Sequence, residues 1–231
     1  MRDMSGLDEV ELRYVLRKLG EVIRLSLEKG SNLHTTIGGK FAELYVASEL
    51  WKHKPKLGQQ RPEVKEVKNP KSCDIVLEAT KKKLEVKWSA LHHNDQFAKE
   101  CDNKPFWGWG FSTGKQFLEK KFDYCILLAA KKNNAYPEHI FVIRCEEMTE
   151  DTMGGLRTSA LYNKGSFFIE YSHEKDYHSS RRWGYPISEH RSKKRSSKEK
   201  PEPSPLEKDL SNNPEKYEKR WGELREKGML S

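Results

Sequence analysis

With 231 residues, 35% of them hydrophobic and 34% charged, the chain has the length of one domain with appendages and is too polar for a membrane-embedded protein. Its net charge of +8 favours an acidic partner such as nucleic acid, and no run approaches the ~20 apolar residues of a membrane-spanning helix. The first residues, Met-Arg-Asp-Met-Ser, lack the apolar stretch of a secretory signal. The expectation is a soluble cytoplasmic protein without membrane contact.

Residues 7–29 place Leu12, Val15, Leu16, Leu19, Val22, Ile23 and Leu27 at helical spacing, with Asp8, Glu9 and Glu11 in the first turn and Gly30 after the last. This helix either packs on the core or serves dimerisation. Gly38-Gly39 opens a second predicted helix that runs to about Trp51. On it Glu43 shares a face with Val46, Ala47 and Leu50, and a carboxylate at the head of an apolar stripe calls for a partner or a metal. Gly39 is expected to leave room for a close approach on that face.

Residues 52–72 read as a loop or ragged edge strand. A hairpin follows, Asp74–Leu77 and Leu84–Ser89, joined by a polar turn. Strand alternation puts Leu84, Val86 and Trp88 on one face and Glu85, Lys87 and Ser89 on the other, with Glu85 and Lys87 about 7 Å apart. Residues 90–113 read as an irregular insertion ending in Phe106-Trp-Gly-Trp-Gly-Phe111. A short helix near Gly114–Lys121 precedes the apolar strand Tyr124–Ala130, a turn at Asn133, Asn134 and Pro137, and strands at His139–Arg144 and Ser166–Tyr171. The order implies a mixed α/β domain around one central sheet flanked by helices.

From about 189 the chain turns rich in Lys, Ser, Pro and Glu, and disorder is expected through Pro205. Residues 189–200 carry Arg191, Lys193, Lys194, Arg195, Lys198 and Lys200 against Glu189 and Glu199, half of the net excess of the whole chain. Residues 212–228 suit a short charged helix anchored by Trp221 and Leu224. Cys73, Cys101, Cys125 and Cys145 are widely spaced without a Cys-x-x-Cys pair, which suits reduced structural thiols rather than a zinc site. The pair His92-His93 would point to opposite faces of a strand and reads as a solvated loop.

The chemistry gathers on the hairpin. Two carboxylates, Asp74 and Glu85, on adjacent strands can hold a divalent metal through oxygen, joined by the Val86 carbonyl. Lys87 then faces a phosphate bound beside that metal, and Glu43 is a further ligand through water or an orienting base. Lys115, near a helix start, is a candidate phosphate contact. Trp107 and Trp109, between glycines, are candidates for stacking on bases or closing the core beneath a loop.

Asp74, Glu85-Val86-Lys87 and the upstream helical Glu43 resemble, in order and spacing, the PD-(D/E)XK nuclease superfamily, the fold of many restriction endonucleases. Cys73 stands where the name-giving proline would be. The helix and strand in Gly114-Lys-Gln-Phe-Leu-Glu-Lys-Lys-Phe-Asp-Tyr-Cys-Ile-Leu-Leu also resemble that family, which adds Gln116 to the candidate site. The likeness covers roughly residues 37–145.

This resemblance implies a restriction endonuclease-like core with a central mixed sheet. It also implies Mg2+ as cofactor with Mn2+ able to substitute, double-stranded DNA as partner, no organic cofactor, a homodimer, and a prokaryotic cytoplasm. The domain reading is a helical segment over 1–30, a nuclease domain over 31–188, and a basic tail over 189–231 with a short C-terminal helix. Chain length beyond a minimal nuclease core favours a type II site-specific restriction endonuclease. The alternatives are a structure-selective nuclease (a junction resolvase or repair enzyme) and a DNA-binding module without catalysis on the same fold.

Overall fold

The computed structural model describes residues 9–30, 33–52, 64–66, 73–77, 80–92, 104–112, 122–149, 151–153, 157–158, 165–174 and 203–227. The chain forms two compact units interleaved in sequence: residues 1–90, 121–145 and 215–231 make the first, and residues 91–120 and 146–214 the second.

In the first unit, α1 spans Glu9–Glu28 and α2 spans Leu33–Lys52. Gly30 closes α1 in the left-handed region (φ 62°), which costs glycine little. The second helix begins five residues before Gly38, the predicted start. The Ser26 hydroxyl, on the last turn of α1, accepts from the His34 backbone N–H at 2.8 Å and satisfies one of the donors that a first helical turn leaves without an intrahelical partner. Gly38 and Gly39 therefore lie inside the helix. The close approach also belongs to Gly38, not Gly39: a Cβ on Gly38 would stand 2.4 Å from Trp88 Cε3, whereas one on Gly39 would meet nothing within 4 Å.

Strands β1 (Val64–Glu66), β2 (Ile75–Leu77) and β3 (Lys82–Ser89) pair antiparallel in sequence order. A second sheet's first strand, β4 (Trp107–Ser112), intervenes in the chain before β5 (Tyr124–Ala130) and β6 (Pro137–Arg144). The five-stranded sheet of the first unit runs β1-β2-β3-β5-β6, with β3 and β5 parallel and β5 and β6 antiparallel. It is a mixed sheet flanked by helices, as expected.

One face of this sheet, carrying Ile75, Leu77, Leu84, Val86, Ile126, Leu128 and Val142, packs on Ala42, Val46 and Leu50 of α2. The other side of α2 offers Phe41 and Leu44 to Leu12, Leu16 and Ile23 of α1. Enclosure on two sides explains why α2 carries apolar residues on two faces, with Lys40, Glu43, Glu49 and Lys52 left to the remainder.

The second unit holds β4, β7 (Arg157–Thr158) and β8 (Gly165–Tyr171) in the order β4-β8-β7, all antiparallel. Residues 107–112 are thus a strand rather than part of an irregular insertion. Trp107, Trp109 and Phe111 alternate with glycines at the strand period, and Gly110 admits the Phe168 ring, to which an added Cβ would come within 2.9 Å. Trp107 and Trp109 are each 1% exposed. They build this core, the second of the two readings their sequence allowed, and present no stacking surface to a base.

Helices α3 (Pro205–Asn212) and α4 (Pro214–Lys227) complete the described chain. The expectation of disorder does not hold for the described residues 203–205, because Ser204 caps α3: its hydroxyl accepts from the Glu207 N–H while the Glu207 carboxylate accepts from the Ser204 N–H. Residues 189–202 lie outside the described residues. The same Glu207 side chain accepts from the Glu170 N–H at 2.9 Å, fastening α3 to β8.

The charged C-terminal helix forms as predicted, yet it belongs to the first unit rather than to a tail. Trp221 and Leu224 sit in the cluster with Ala42 and Val46, and Tyr217 is buried besides.

Candidate metal and phosphate site

The hairpin register decides where the acids stand. Ile75 pairs with Leu84, and one step further along the same register sets Asp74 against Glu85. The Asp74 N–H donates to the Leu84 carbonyl at 2.9 Å, so the pairing extends past the formal strand end. Its carboxylate in turn accepts from the Val86 N–H at 2.8 Å. On the other flank, the parallel register of β3 and β5 places Cys125 beside Glu85.

Alternation along β3 sends Leu84 and Val86 into the core and leaves Glu85 and Lys87 on the opposite face. Glu85 is 3% exposed and receives the Lys87 ammonium at 2.5 Å. Glu43, on α2, is half-buried and takes the Lys40 ammonium at 2.8 Å, one helical turn back.

The electrostatics tie these groups together. Burial pushes the Glu85 carboxyl above its ordinary range; Asp74 and Glu43 push the same way, and Lys87 opposes them. Burial also raises Asp74, against the Val86 N–H, Lys87 and Lys40. Burial works against the Lys87 ammonium, but Glu85 and Asp74 outweigh it and hold its pKa above the usual value. Cys125, fully enclosed, has its thiol pushed well up, first by burial and then by Glu85.

The fold brings Asp74, Glu85 and Lys87 together through the hairpin register and the Lys87–Glu85 ion pair, whereas Glu43 touches them only as the smallest of the charges acting on Glu85. Gln116 and Lys115 lie outside the described residues. Lys40 and Cys125 are the neighbours that sequence reasoning missed. A single lysine among so many carries no signal, and Cys125 reads simply as part of an apolar strand.

The donor set suits a hard cation. Its side-chain donors are carboxylate oxygens, and crowding two of them in a site dry enough to raise both pKa values leaves negative charge that a divalent ion would neutralise. Among the described residues, Cys73, Cys125 and Cys145 are buried and lie outside any disulfide. No helix among them is long and apolar enough to cross a membrane. No protein-family model matches the chain, and no curated protein sequence does either.

Proposed function

We propose that this protein is a magnesium-dependent DNA endonuclease of the PD-(D/E)XK type, acting as a homodimeric site-specific restriction enzyme. The observation that carries the reading is the meeting of Asp74, Glu85 and Lys87 across the β2–β3 pairing, with Glu43 within electrostatic reach.

Asp74 and Glu85, with the Val86 carbonyl, would hold Mg2+, or Mn2+ in its place. When bound, the ion supplies a water of lowered pKa and a Lewis acid for the phosphoryl oxygens. The chain's own groups do the rest. Lys87, attached to Glu85, places a positive charge beside the reacting phosphate, where it offsets charge that develops on the oxygens. Glu43 accepts a proton or hydrogen bond from a water on the helix side. The Val86 N–H fixes the Asp74 carboxylate, so that one of its oxygens is oriented before substrate arrives.

Support for site specificity comes from residues 91–120 and 146–214. They form a compact unit of their own, more chain than hydrolysis requires and enough to present side chains to base edges.

The test is a digest of supercoiled plasmid, four-way junctions and single strands in magnesium by the wild type, Asp74→Ala and Lys87→Ala. Discrete plasmid fragments lost in both variants are expected. Cutting confined to junctions would transfer the site to a structure-selective enzyme. No cutting of any substrate would end the enzyme reading.

A further inference from the structure

The face of β3 that carries Glu85 and Lys87 begins one strand step earlier, at Lys83. Leu84 and Val86 point into the core, so alternation puts Lys83, Glu85 and Lys87 together on the other face, at intervals of roughly 6.8 Å. Glu85 thus has a lysine on either side of it along the strand. On β2, Ile75 and Leu77 turn into the core, which leaves Asp74 and Val76 on the same face as the lysines. Val76 stands directly across from Lys83 in the register.

The two lysines are held in different ways. Lys87 gives its ammonium to Glu85. Lys83 is fixed through its backbone: its N–H donates to the Asp123 carboxylate at 2.8 Å, and its carbonyl accepts from the Asp123 N–H at 2.8 Å. The second oxygen of Asp123 takes the Lys82 ammonium at 2.9 Å, so Lys82 serves the fold. The Lys83 side chain is exposed, and among the described residues no carboxylate takes its ammonium. Its backbone is therefore ordered before any ligand arrives, while its charge stays open to one.

We propose that Lys83 is a substrate-binding residue that contacts the DNA phosphate next to the one held at Asp74 and Glu85. This rests on the nuclease reading and deepens it. One step along a strand face is on the scale of the spacing between neighbouring phosphates of a nucleic-acid strand. A lysine at that distance supplies a point charge with three rotatable donors and does not touch the reacting atoms. Val76 opposite offers apolar support for its methylene stem.

A contact of this kind adds to binding and leaves the chemical step alone. Its loss weakens DNA affinity and steepens the need for substrate, whereas cleavage at saturating DNA persists. Loss of a lysine that merely solvates the hairpin changes neither.

The experiment compares wild type, Lys83→Gln, Lys83→Arg and Lys132→Gln, the last being an exposed lysine on the turn between β5 and β6 that removes the same charge elsewhere. Binding of duplex DNA in Ca2+ is titrated at several salt concentrations, and plasmid cleavage in Mg2+ is followed below and at saturation. For Lys83→Gln we expect a log-log salt dependence shallower by about 0.9, the contribution of one phosphate contact, and slower cleavage only below saturation. Lys83→Arg should restore both, and Lys132→Gln should match wild type. A Lys83→Gln slope equal to that of wild type, or an equal loss in Lys132→Gln, overturns the proposal while the nuclease reading stands. A wild type that binds duplex but never cuts any substrate ends the nuclease reading, and the slope still decides whether Lys83 meets a phosphate. A wild type that binds no DNA overturns both.

Discussion

The Asp74 carboxylate accepts its hydrogen bond from the Val86 N–H, between the two residues, Glu85 and Lys87, that complete the hairpin site. One bond thus serves the fold and the site at once, locking the start of β2 to the middle of β3.

Substitution separates the two roles. Asp74→Asn keeps an oxygen for the Val86 N–H but loses the charge; Asp74→Ala loses both. The alanine variant should be about 1–3 kcal/mol less stable than the asparagine variant, the cost of leaving the Val86 N–H without its acceptor. Without metal at neutral pH, the asparagine variant should be at least as stable as wild type, because burial disfavours the Asp74 anion. Both should lose cleavage by about a hundredfold or more. Urea denaturation and plasmid digestion read the two effects, and an asparagine variant as unstable as alanine would show that charge, not the bond, holds the strands.

The pH dependence has a definite sign. Asp74 and Glu85 have folded pKa values above their ordinary ones, 3.8 and 4.5. Their contribution to stability is fully present below those ordinary values and is lost as pH rises through the raised ones. The metal-free protein should therefore carry a destabilising pair of anions at neutral pH. Lys87, also raised, contributes stability throughout this range and loses it only in alkali.

On the proposed reading, divalent metal should reverse the carboxylate penalty. Ca2+ or Mg2+ at a hundred times its dissociation constant should stabilise the fold by about 2.7 kcal/mol at pH 7.5. The gain should shrink at pH 5, where protons compete for the same oxygens. Thermal melts with and without Ca2+ at the two pH values measure the difference; equal gains at both would place the ion elsewhere.

Adjacent glycines should respond oppositely to alanine. In Gly38→Ala the new methyl would stand 2.4 Å from Trp88, so the indole or α2 must move, at about 1–3 kcal/mol. Gly39→Ala meets open space inside a helix and should stabilise by up to about 1 kcal/mol. Denaturant midpoints of the two variants would show this, and a destabilised Gly39→Ala would mean that the space beside it is filled.

What could be read beforehand follows from the range of the forces involved. The β2–β3 hairpin, β5 and α1 are written in local periodicity, and so was the pairing of Glu85 with Lys87 on one face. The start of α2 at Leu33 lies ahead of its apolar stripe, and the Ser26 hydroxyl that accepts from the His34 N–H comes from the preceding helix, beyond the reach of local periodicity. The aromatic-glycine alternation of residues 107–112 carries no local sign of a strand, because the ring that fills the gap left by Gly110, Phe168, lies far along the chain.

The C-terminal helix supplies the last contrast. Its composition is that of a solvated tail, yet Leu224 is fully buried among α2 and sheet residues. Glu218 meets His139 at 2.6 Å, and Arg220 donates to the Val142 carbonyl at 3.3 Å, so α4 is tied to β6 along its length. Leu224→Ala should cost about 2–5 kcal/mol, whereas Lys219→Ala, on the exposed side of the same helix, should stay within about 0.5 kcal/mol. If α4 were only an electrostatic appendage, the order would invert: Lys219→Ala would lower DNA affinity, and Leu224→Ala would leave the denaturation midpoint untouched. Chemical denaturation followed at Trp221, with DNA binding measured on the same samples, distinguishes a helix that completes the core from one that merely carries charge.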